Sequence, residues 1–195
     1  VLNSASAAFQ SKEAGVVDFV GNEAEVFAQI KKLTGLFPSN YKDQSKIKDC
    51  MDDLNRLCGN IQIADAVEIL TQIADENEFI ELKKDYGTDM AIGFIRLDGE
   101  TVGCVANKEE KISSQGAKKA ASFVKLCDAF GVGILTFTDV TGYAANLEQE
   151  KELAQAVGAM TGAFVQASVP KVNVITKKAF GSAYVSMNSK AVGAD

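Results

Sequence analysis

The chain has 195 residues, of which 47% are hydrophobic and 24% charged, and it carries a net charge of -6 without a single histidine. This length and composition are typical of one globular domain with a full apolar core and some attached structure. The acidic balance excludes a broad nucleic-acid-binding face, and the missing histidine excludes Ser-His-Asp, Cys-His and histidine-ligated metal chemistry within the chain. Any catalysis must therefore use carboxylates, hydroxyls, backbone amides or a carried cofactor.

The cysteines and the N-terminal residues bear on the compartment. Cys50, Cys58, Cys104 and Cys127 show no C-x-x-C spacing, so neither a zinc site nor a disulfide framework is indicated. Residues 1–4 lack the basic and apolar regions of a signal peptide, and no apolar run approaches the roughly 18 residues that span a bilayer. We therefore expect a cytoplasmic, reduced chain that binds no metal.

The N-terminal part of the chain is predicted to contain one strand and one helix. Residues 16–20 are rich in β-branched side chains, which favours a short strand. Residues 23–36 carry apolar side chains at helical spacing, and Gly35 and Pro38 end the pattern. Residues 40–60 are polar and charged, have weak helical character and indicate a connector, where we place the main domain boundary.

The next segments indicate a capped helix and a β-hairpin. Asp65 can cap a helix that continues for about two turns. Residues 78–82 alternate between apolar and polar side chains, as in a strand. Two apolar runs at residues 90–97 and 101–105 are joined by Asp98-Gly99, a strong signal for a tight turn between antiparallel strands.

The last third of the chain alternates helices with apolar strands. Helices are predicted at residues 115–130 and 148–166, and a short one follows the turn at residues 180–182 and runs to Lys190. Buried strands are predicted at residues 134–140 and 171–176. This alternation favours right-handed crossovers between strands and a largely parallel sheet.

Two strand ends are the candidate binding positions, because ligands of such sheets collect at the carboxyl ends of strands. They are residues 138–143 and residues 179–184. At the second, Gly181 and small residues open a helix whose first N–H groups have no internal partner, and such donors can form an oxyanion hole without histidine. From this segment alone we favour a plain strand–turn–helix. Ser182 lacks both the G-x-S-x-G context and a base, so a nucleophile is disfavoured, and Asp139 is interpreted as structural.

Three stretches of the chain resemble the carboxyltransferase subunits of propionyl-CoA and acetyl-CoA carboxylases and of methylmalonyl-CoA decarboxylase. Residues 93–103 are similar to the family's G-F-A-R-x-x-G-x-x-V-G hairpin. The other stretches are residues 116–140 and residues 167–190. Together with residues 79–86 they follow the family's order from about residue 65 to the end of the chain.

The resemblance implies a crotonase-like α/β fold, a β-β-α spiral superhelix. It implies that residues 1–40 are a remnant of the family's N-terminal domain, that residues 41–64 are a connector, and that residues 65–195 are the C-terminal, biotin-side domain, truncated at its C-terminus. In this family the N domain mainly holds the acyl-CoA, and the active site forms where it meets the C domain of another subunit. The chain is therefore expected to be a fragment that is inactive alone.

The family mechanism suits a chain without histidine. Carboxybiotin releases its carboxyl group beside the acyl-CoA, and the ureido nitrogen then takes the α-proton. The backbone amides of Ser182 and Ala183 match the pair that holds the ureido oxygen of biotin. Gly142, Tyr143 and Gly181 match the walls of the biotin pocket.

The chain departs from the family at both of these turns. The loop often has the sequence V-P-G-F, whereas residues 140–143 here are Val-Thr-Gly-Tyr, without proline. The second turn is often G-G-A-Y-D, whereas residues 181–185 here are Gly-Ser-Ala-Tyr-Val. Val185 thus replaces an Asp that is common in propionyl-type enzymes, at a position linked to acyl-chain choice. Propionyl-CoA is therefore not assumed as the substrate.

The resemblance also implies the partners of the reaction. Biotin would be attached to a carrier protein or domain and not to this chain, with an acyl-CoA as substrate. A biotin carboxyl carrier protein, a biotin carboxylase subunit and copies of the subunit itself, as dimers or trimers of dimers, are the expected partners. The direction, carboxylase or decarboxylase, stays open. A biotin-independent crotonase-type enzyme and a non-catalytic scaffold are the alternatives from other functional classes.

Overall fold

The computed structural model describes residues 3–40, 42–44, 47–59 and 64–195. Its helices are α1 (Ala7–Lys12), α2 (Glu23–Leu36), α3 (Ala66–Ile73), α4 (Ser114–Ala129), α5 (Leu147–Gln166) and α6 (Gly181–Ser186), with 3-10 turns at Asp75–Asn77 and Lys190–Val192. Its strands are β1 (Ile80–Leu82), β2 (Met90–Leu97), β3 (Glu100–Asn107), β4 (Lys111–Ile112), β5 (Ile134–Val140), β6 (Gly142–Tyr143) and β7 (Lys171–Ala179). Across these ranges, no helix combines the length and the apolar character needed to cross a bilayer.

The predicted connector lies partly outside the described residues, at positions 41, 45, 46 and 60–63. Its described part contains neither helix nor strand, so the weak helical character expected there is not realised. The helix that begins after Asp65 is confirmed. The Asp65 side chain caps it by accepting a hydrogen bond from the Glu68 N–H.

The main sheet has the strand order β1-β2-β3-β5-β7. Strands β1, β2 and β3 pair antiparallel, whereas β3, β5 and β7 pair parallel. The sheet is therefore mixed, and the prediction of a largely parallel sheet was wrong for its first half, where a hairpin imposes antiparallel pairing. A separate parallel pair, β4 with β6, was not predicted from the sequence.

The turn between β2 and β3 has the geometry that its sequence indicates. Asp98 and Gly99 have φ angles of 51° and 80°, as a two-residue hairpin turn requires. The buried Asp75 carboxylate accepts hydrogen bonds from both N–H groups, at 3.2 Å from Asp98 and 2.7 Å from Gly99. The turn is thus fixed both by local backbone preference and by a tertiary contact.

The sheet is covered on its two faces by different helices. On one face α4 and α5 bury a large apolar cluster, in which the Phe94 ring lies 5.0 Å from those of Phe37 and Phe123. On the other face α3 packs Ile69 and Leu70 against the sheet in a smaller cluster. The end of α2 reaches the larger cluster, where Phe37 also contacts the Phe130 ring at 4.7 Å.

Residues 16–20 do not form the predicted strand. Their backbone bonds instead to α1 and to the loop after β1, since the Val16 N–H donates to the Gln10 carbonyl and the Asp18 carbonyl accepts from the Lys83 N–H. Val16 and Val20 are 66% and 53% exposed. The β-branched composition suited an extended backbone, but the segment lies against a helix end and a loop and pairs with no strand of the described part of the chain.

Strand β7 is not buried, contrary to the prediction for residues 171–176. It forms the edge of the main sheet, and none of its nine residues is buried. Val172, Val174 and Ile175 are between 39% and 48% exposed. A short apolar run predicts a strand well, but it does not distinguish a central strand from an edge strand.

Two glycines of the hairpin are required by close packing. A Cβ atom on Gly93 would lie 2.2 Å from the Ile80 carbonyl oxygen of β1, and one on Gly103 would lie 2.4 Å from the Cys127 sulfur of α4. Gly93 therefore lets β1 pair closely alongside β2, and Gly103 lets α4 pack closely against β3. They are the first and last glycines of the G-F-I-R-L-D-G-E-T-V-G stretch.

We predict that Gly93→Ala lowers the free energy of unfolding by about 1–3 kcal/mol, because the new methyl group meets backbone atoms that cannot move aside. Gly158→Ala is the matched control. Gly158 lies on the exposed side of α5 with open space around it, so alanine there should raise stability by about 0.5–1 kcal/mol. Urea denaturation of the three proteins measures both effects. Equal shifts for the two variants would contradict the packing argument.

Lys119 is a buried cation on α4. It is 1% exposed, and its Nζ donates to the carbonyl oxygens of Tyr86 at 2.9 Å and Met90 at 2.7 Å. Burial lowers the pKa of Lys119 to about 8, and the nearby Glu81 carboxylate partly opposes this effect. The folded chain therefore releases this proton more easily than the unfolded chain does.

We predict that Lys119 makes the stability of the fold rise with pH between about 8 and 10.5. Over this window the unfolded state binds more protons than the folded state, so the free energy of unfolding increases with pH. The upper limit of the gain is about 3.5 kcal/mol, since one pKa unit corresponds to about 1.4 kcal/mol. Urea denaturation across the window should show the free energy of unfolding of the unmodified chain rising relative to that of Lys119→Met, because the buried Cys104 and Cys127 thiols, whose pKa values are raised by burial, affect both proteins alike. Parallel curves for the two proteins would disprove it.

Candidate active site

The carboxyl ends of β5 and β7 meet across a break in register. Thr138 pairs with Ile175, but Val140 pairs with Ala179, so two steps along β5 correspond to four along β7. The surplus residues of β7 form a bulge, a feature that redirects a strand at its end. The chain leaves the sheet directly after this bulge and enters α6.

Asp139 holds the bulge in place. Its Oδ1 accepts a hydrogen bond from the Lys178 N–H at 3.0 Å, and its Oδ2 lies 3.8 Å from the Lys177 Nζ. Its own N–H donates to the Asn107 side chain at 2.9 Å. Asp139 therefore serves the backbone, in agreement with the structural role expected from the sequence.

Glu110 connects the loop after β5 to the end of β7. Its carboxylate forms an ion pair with the Lys178 ammonium group, and its carbonyl accepts the Thr141 N–H at 2.8 Å. The hydrogen bond from Lys178 lowers the pKa of Glu110, and the same bond raises the pKa of Lys178. No local pattern indicates this link, because the two charged residues lie 68 positions apart in the chain.

The turn into α6 depends on Gly181. Its φ angle is 60°, a left-handed conformation that favours glycine, whereas the space around it is open. The Phe180 N–H before it donates to the Val140 carbonyl at 3.1 Å and so fixes the exit from the sheet. Helical backbone therefore starts at Ser182. The helix ends at Ser186, earlier than the predicted Lys190.

The first amides of α6 are free donors. The Tyr184 N–H bonds to the Phe180 carbonyl at 3.3 Å, but the N–H groups of Ser182 and Ala183 have no acceptor within the described residues. This is expected for the first turn of a helix, where N–H groups lack a partner one turn earlier. Gly181 and Ser182 are exposed, whereas Ala183 is buried, so the Ser182 N–H belongs to an exposed residue and the Ala183 N–H to a buried one.

Tyr143 connects the first predicted strand end, residues 138–143, to α6. Its hydroxyl donates to the Ser182 carbonyl at 3.1 Å and shares a hydrogen bond with the Ser186 Oγ at 2.8 Å. The structure thus brings Gly142 and Tyr143 next to residues 181–183, and their role in binding biotin stays a prediction. Val185 lies on the same helix and is 40% exposed.

Ser186 is a site residue that sequence reasoning missed. It is buried, and its Oγ lies 3.0 Å from the Ser182 carbonyl oxygen, within hydrogen-bonding distance. The sequence contains a signal for this contact. On a helix, a serine side chain can hydrogen-bond to the carbonyl four residues earlier, and Ser186 follows Ser182 at that spacing.

Other polar clusters lie away from α6. A cavity of about 390 Å³ is lined by residues 11–29 and 79–85. Possible ligand atoms of Cys50, Asp52 and Asp75 lie within 4.8 Å of one another. Both of these carboxylates already accept backbone N–H groups, Asp75 in the hairpin turn and Asp52 from Glu76 at 2.6 Å. We therefore interpret that cluster as a support for the hairpin.

The arrangement at α6 can stabilise a negatively charged ligand oxygen. Two adjacent N–H groups without acceptors, at the positive end of a helix, are the donors used in oxyanion holes. They supply hydrogen bonds and no proton acceptor. A reaction at this site would therefore need its proton-transferring group from a ligand or from another part of the protein.

Comparison with known proteins gives consistent relatives. The family model of the carboxyl transferase domain matches residues 5–195. The chain is 35% identical over 188 residues to a propionyl-CoA carboxylase beta chain of Roseobacter denitrificans, across 89% of this chain and 37% of that protein. It is 34% identical over 196 residues to a methylmalonyl-CoA decarboxylase subunit alpha of Veillonella parvula, across 93% and 38%.

A solved structure shows the same fold. The transcarboxylase 12S hexamer, determined with methylmalonyl-coenzyme A and methylmalonic acid bound, superposes with a TM-score of 0.91 at 26% identity. The match covers 97% of this chain and 39% of that one. The crotonase-like fold expected from the sequence is thereby confirmed. The chain spans less than two fifths of the length of these relatives.

Proposed function

The chain belongs to the carboxyl transferase domain family, and on this premise we propose that its protein moves a carboxyl group between carboxybiotin and an acyl-CoA. The observation that supports the proposal most is the pair of free amides at Ser182 and Ala183. They stand where the family motif has the donors to the biotin ureido oxygen. The similarity to a propionyl-CoA carboxylase chain and a methylmalonyl-CoA decarboxylase subunit supports an acyl-CoA as the second reactant.

The turn fits a ureido group in two respects. The two N–H groups need an acceptor, and the space beside Gly181 is open within 4 Å of where a side chain would begin. Bound biotin supplies the transferable carboxyl group and, after its loss, a nitrogen that can accept a proton. In the proposed role Ser182 and Ala183 donate to the ureido oxygen and stabilise its negative charge. Gly142 and Tyr143 form the neighbouring wall of the pocket.

The same proposal assigns the parts of the chain. Residues 65–195 would form the biotin-side domain, and residues 1–40 would belong to the end of the preceding domain, with Phe37 packed into the later core. The acyl-CoA would bind mainly in the rest of the protein, with Val185 influencing the choice of acyl chain. The partners would be a biotin carrier, a biotin carboxylase and further copies of the subunit, in the cytoplasm.

We expect the full-length protein to decarboxylate malonyl-CoA or methylmalonyl-CoA only when free biotin is present. Loss of each thioester, followed with and without biotin, tests this directly. The preferred thioester would identify the acyl group, which the sequence leaves open because Val185 replaces the Asp common in propionyl-type enzymes. Turnover that ignores biotin would instead favour a biotin-independent crotonase-type enzyme and would remove the proposed role of the two amides.

Ser182→Pro should lower biotin-dependent turnover by about 10²–10³, because it deletes one oxyanion donor. The exchange suits this position, since helical backbone begins at residue 182 and proline is well tolerated at the first position of a helix. Ser182→Ala keeps the N–H and is the control, with activity close to that of the unmodified protein. Thermal unfolding of both variants shows whether the fold is retained. Equal activity of the two variants would contradict the assigned donor.

A further inference from the structure

The Tyr143 hydroxyl joins β6 to α6 through one exposed contact and one half-buried contact. It lies 3.1 Å from the Ser182 carbonyl oxygen and 2.8 Å from the Ser186 Oγ, which itself lies 3.0 Å from that carbonyl. Three oxygens therefore form a closed triangle between a strand and a helix. We call Tyr143 and Ser186 together the hydroxyl clasp.

The clasp has two hydroxyl protons for its three oxygen–oxygen contacts. The two hydroxyls have one proton each, so one of them donates to the Ser182 carbonyl and the other donates to the first hydroxyl. In both arrangements the Ser182 carbonyl accepts one direct hydrogen bond, and the hydroxyl that donates it accepts a hydrogen bond from the other hydroxyl. Removal of one hydroxyl leaves the other still able to reach the carbonyl. Tyr143 and Ser186 can therefore each replace the other as the donor to the Ser182 carbonyl.

The carbonyl held by the clasp belongs to the same peptide group as one of the proposed donors. The Ser182 C=O and the Ala183 N–H lie in one rigid plane and point in opposite directions. Fixing the oxygen therefore fixes the direction of the N–H. A hydrogen bond to the carbonyl also polarises the peptide group and strengthens its N–H as a donor.

Tyr143 is itself anchored on a bonded backbone. In the parallel pair of β4 and β6 it stands opposite Ile112, whose carbonyl accepts the Ala144 N–H at 2.9 Å. On its other side the Thr141 N–H donates to the Glu110 carbonyl at 2.8 Å. A proline at position 141, common in the family, could not make that bond. The hydroxyl is thus attached to a restrained strand.

We propose that Tyr143 is a positioning residue whose hydroxyl, together with that of Ser186, orients the Ala183 N–H toward the ligand oxygen. This inference rests on the proposed function for its effect on catalysis. Its structural part, that the clasp holds the Ser182–Ala183 peptide group, stands on the contacts alone. The two parts are therefore tested by separate measurements.

The structural part is tested by nuclear magnetic resonance of the 195-residue chain. The Ser182 carbonyl ¹³C and Ala183 amide ¹⁵N resonances report hydrogen bonding to that carbonyl. We expect a small shift in Tyr143→Phe or Ser186→Ala, where one hydroxyl remains, and a shift larger than their sum in the double variant. Ser189→Ala is the control, since the Ser189 Oγ makes the same contact to Val185 at 3.0 Å. A double variant that shifts no more than this control would overturn the clasp.

The catalytic part is tested on the full-length protein by biotin-dependent turnover. The double variant should lose about 10- to 100-fold in kcat, less than the ~10²–10³ expected when a donor is deleted, with KM for the acyl-CoA unchanged. Tyr184→Phe, which removes a neighbouring hydroxyl, should change little. Unchanged kcat in the double variant would overturn the positioning role while biotin dependence stands. If the unmodified protein needs no biotin, the proposed function fails, and the two resonances still decide whether the clasp exists.

Discussion

The break in register between β5 and β7 is the constraint on which the candidate site depends. Asp139 holds the surplus residues of β7 by their backbone, so that Val140 pairs again at Ala179 and the sheet ends at a fixed point. Gly181 then turns the chain into α6 with a positive φ angle. The first amides of this helix lack acceptors because the sheet ends here and the helix has no earlier turn.

The same helix is restrained from two directions. On the sheet side, the ion pair of Glu110 with Lys178 joins the loop after β5 to the end of β7. On the other side, the hydroxyl of Tyr143 reaches α6 from β6. Stabilisation of a developing negative charge requires donors that are already oriented, because reorientation during the reaction would cost free energy. The restraints around α6 are this ion pair, backbone hydrogen bonds and the Tyr143 hydroxyl.

The parts of this structure that local chemistry determines could be predicted from the sequence. The turn at Asp98-Gly99 and the start of the helix after Asp65 follow from residues that sit within a few positions of each other. The prediction of a strand at residues 16–20 was wrong, because β-branched composition favours an extended backbone but does not specify a neighbouring strand to pair with. The exposure of β7 and the pair β4–β6 depend on distant neighbours, and the two-residue strands are too short to produce a pattern. The same contrast holds within the candidate site. The glycine turn at Gly181 could be predicted from the sequence, whereas the role of Glu110 could not.

The proposed donors belong to the main chain, and this affects how the site tolerates change. The Ser182 side chain is exposed, and serine stands where the family often has glycine. Exchanging the side chain at this position leaves its N–H in place, and position 183 is already alanine. An alanine scan would therefore rank positions 182 and 183 as dispensable, and sequence drift at position 182 to any residue other than proline would be nearly silent. Only chemistry that alters the backbone itself, such as an ester in place of the amide, would expose its importance.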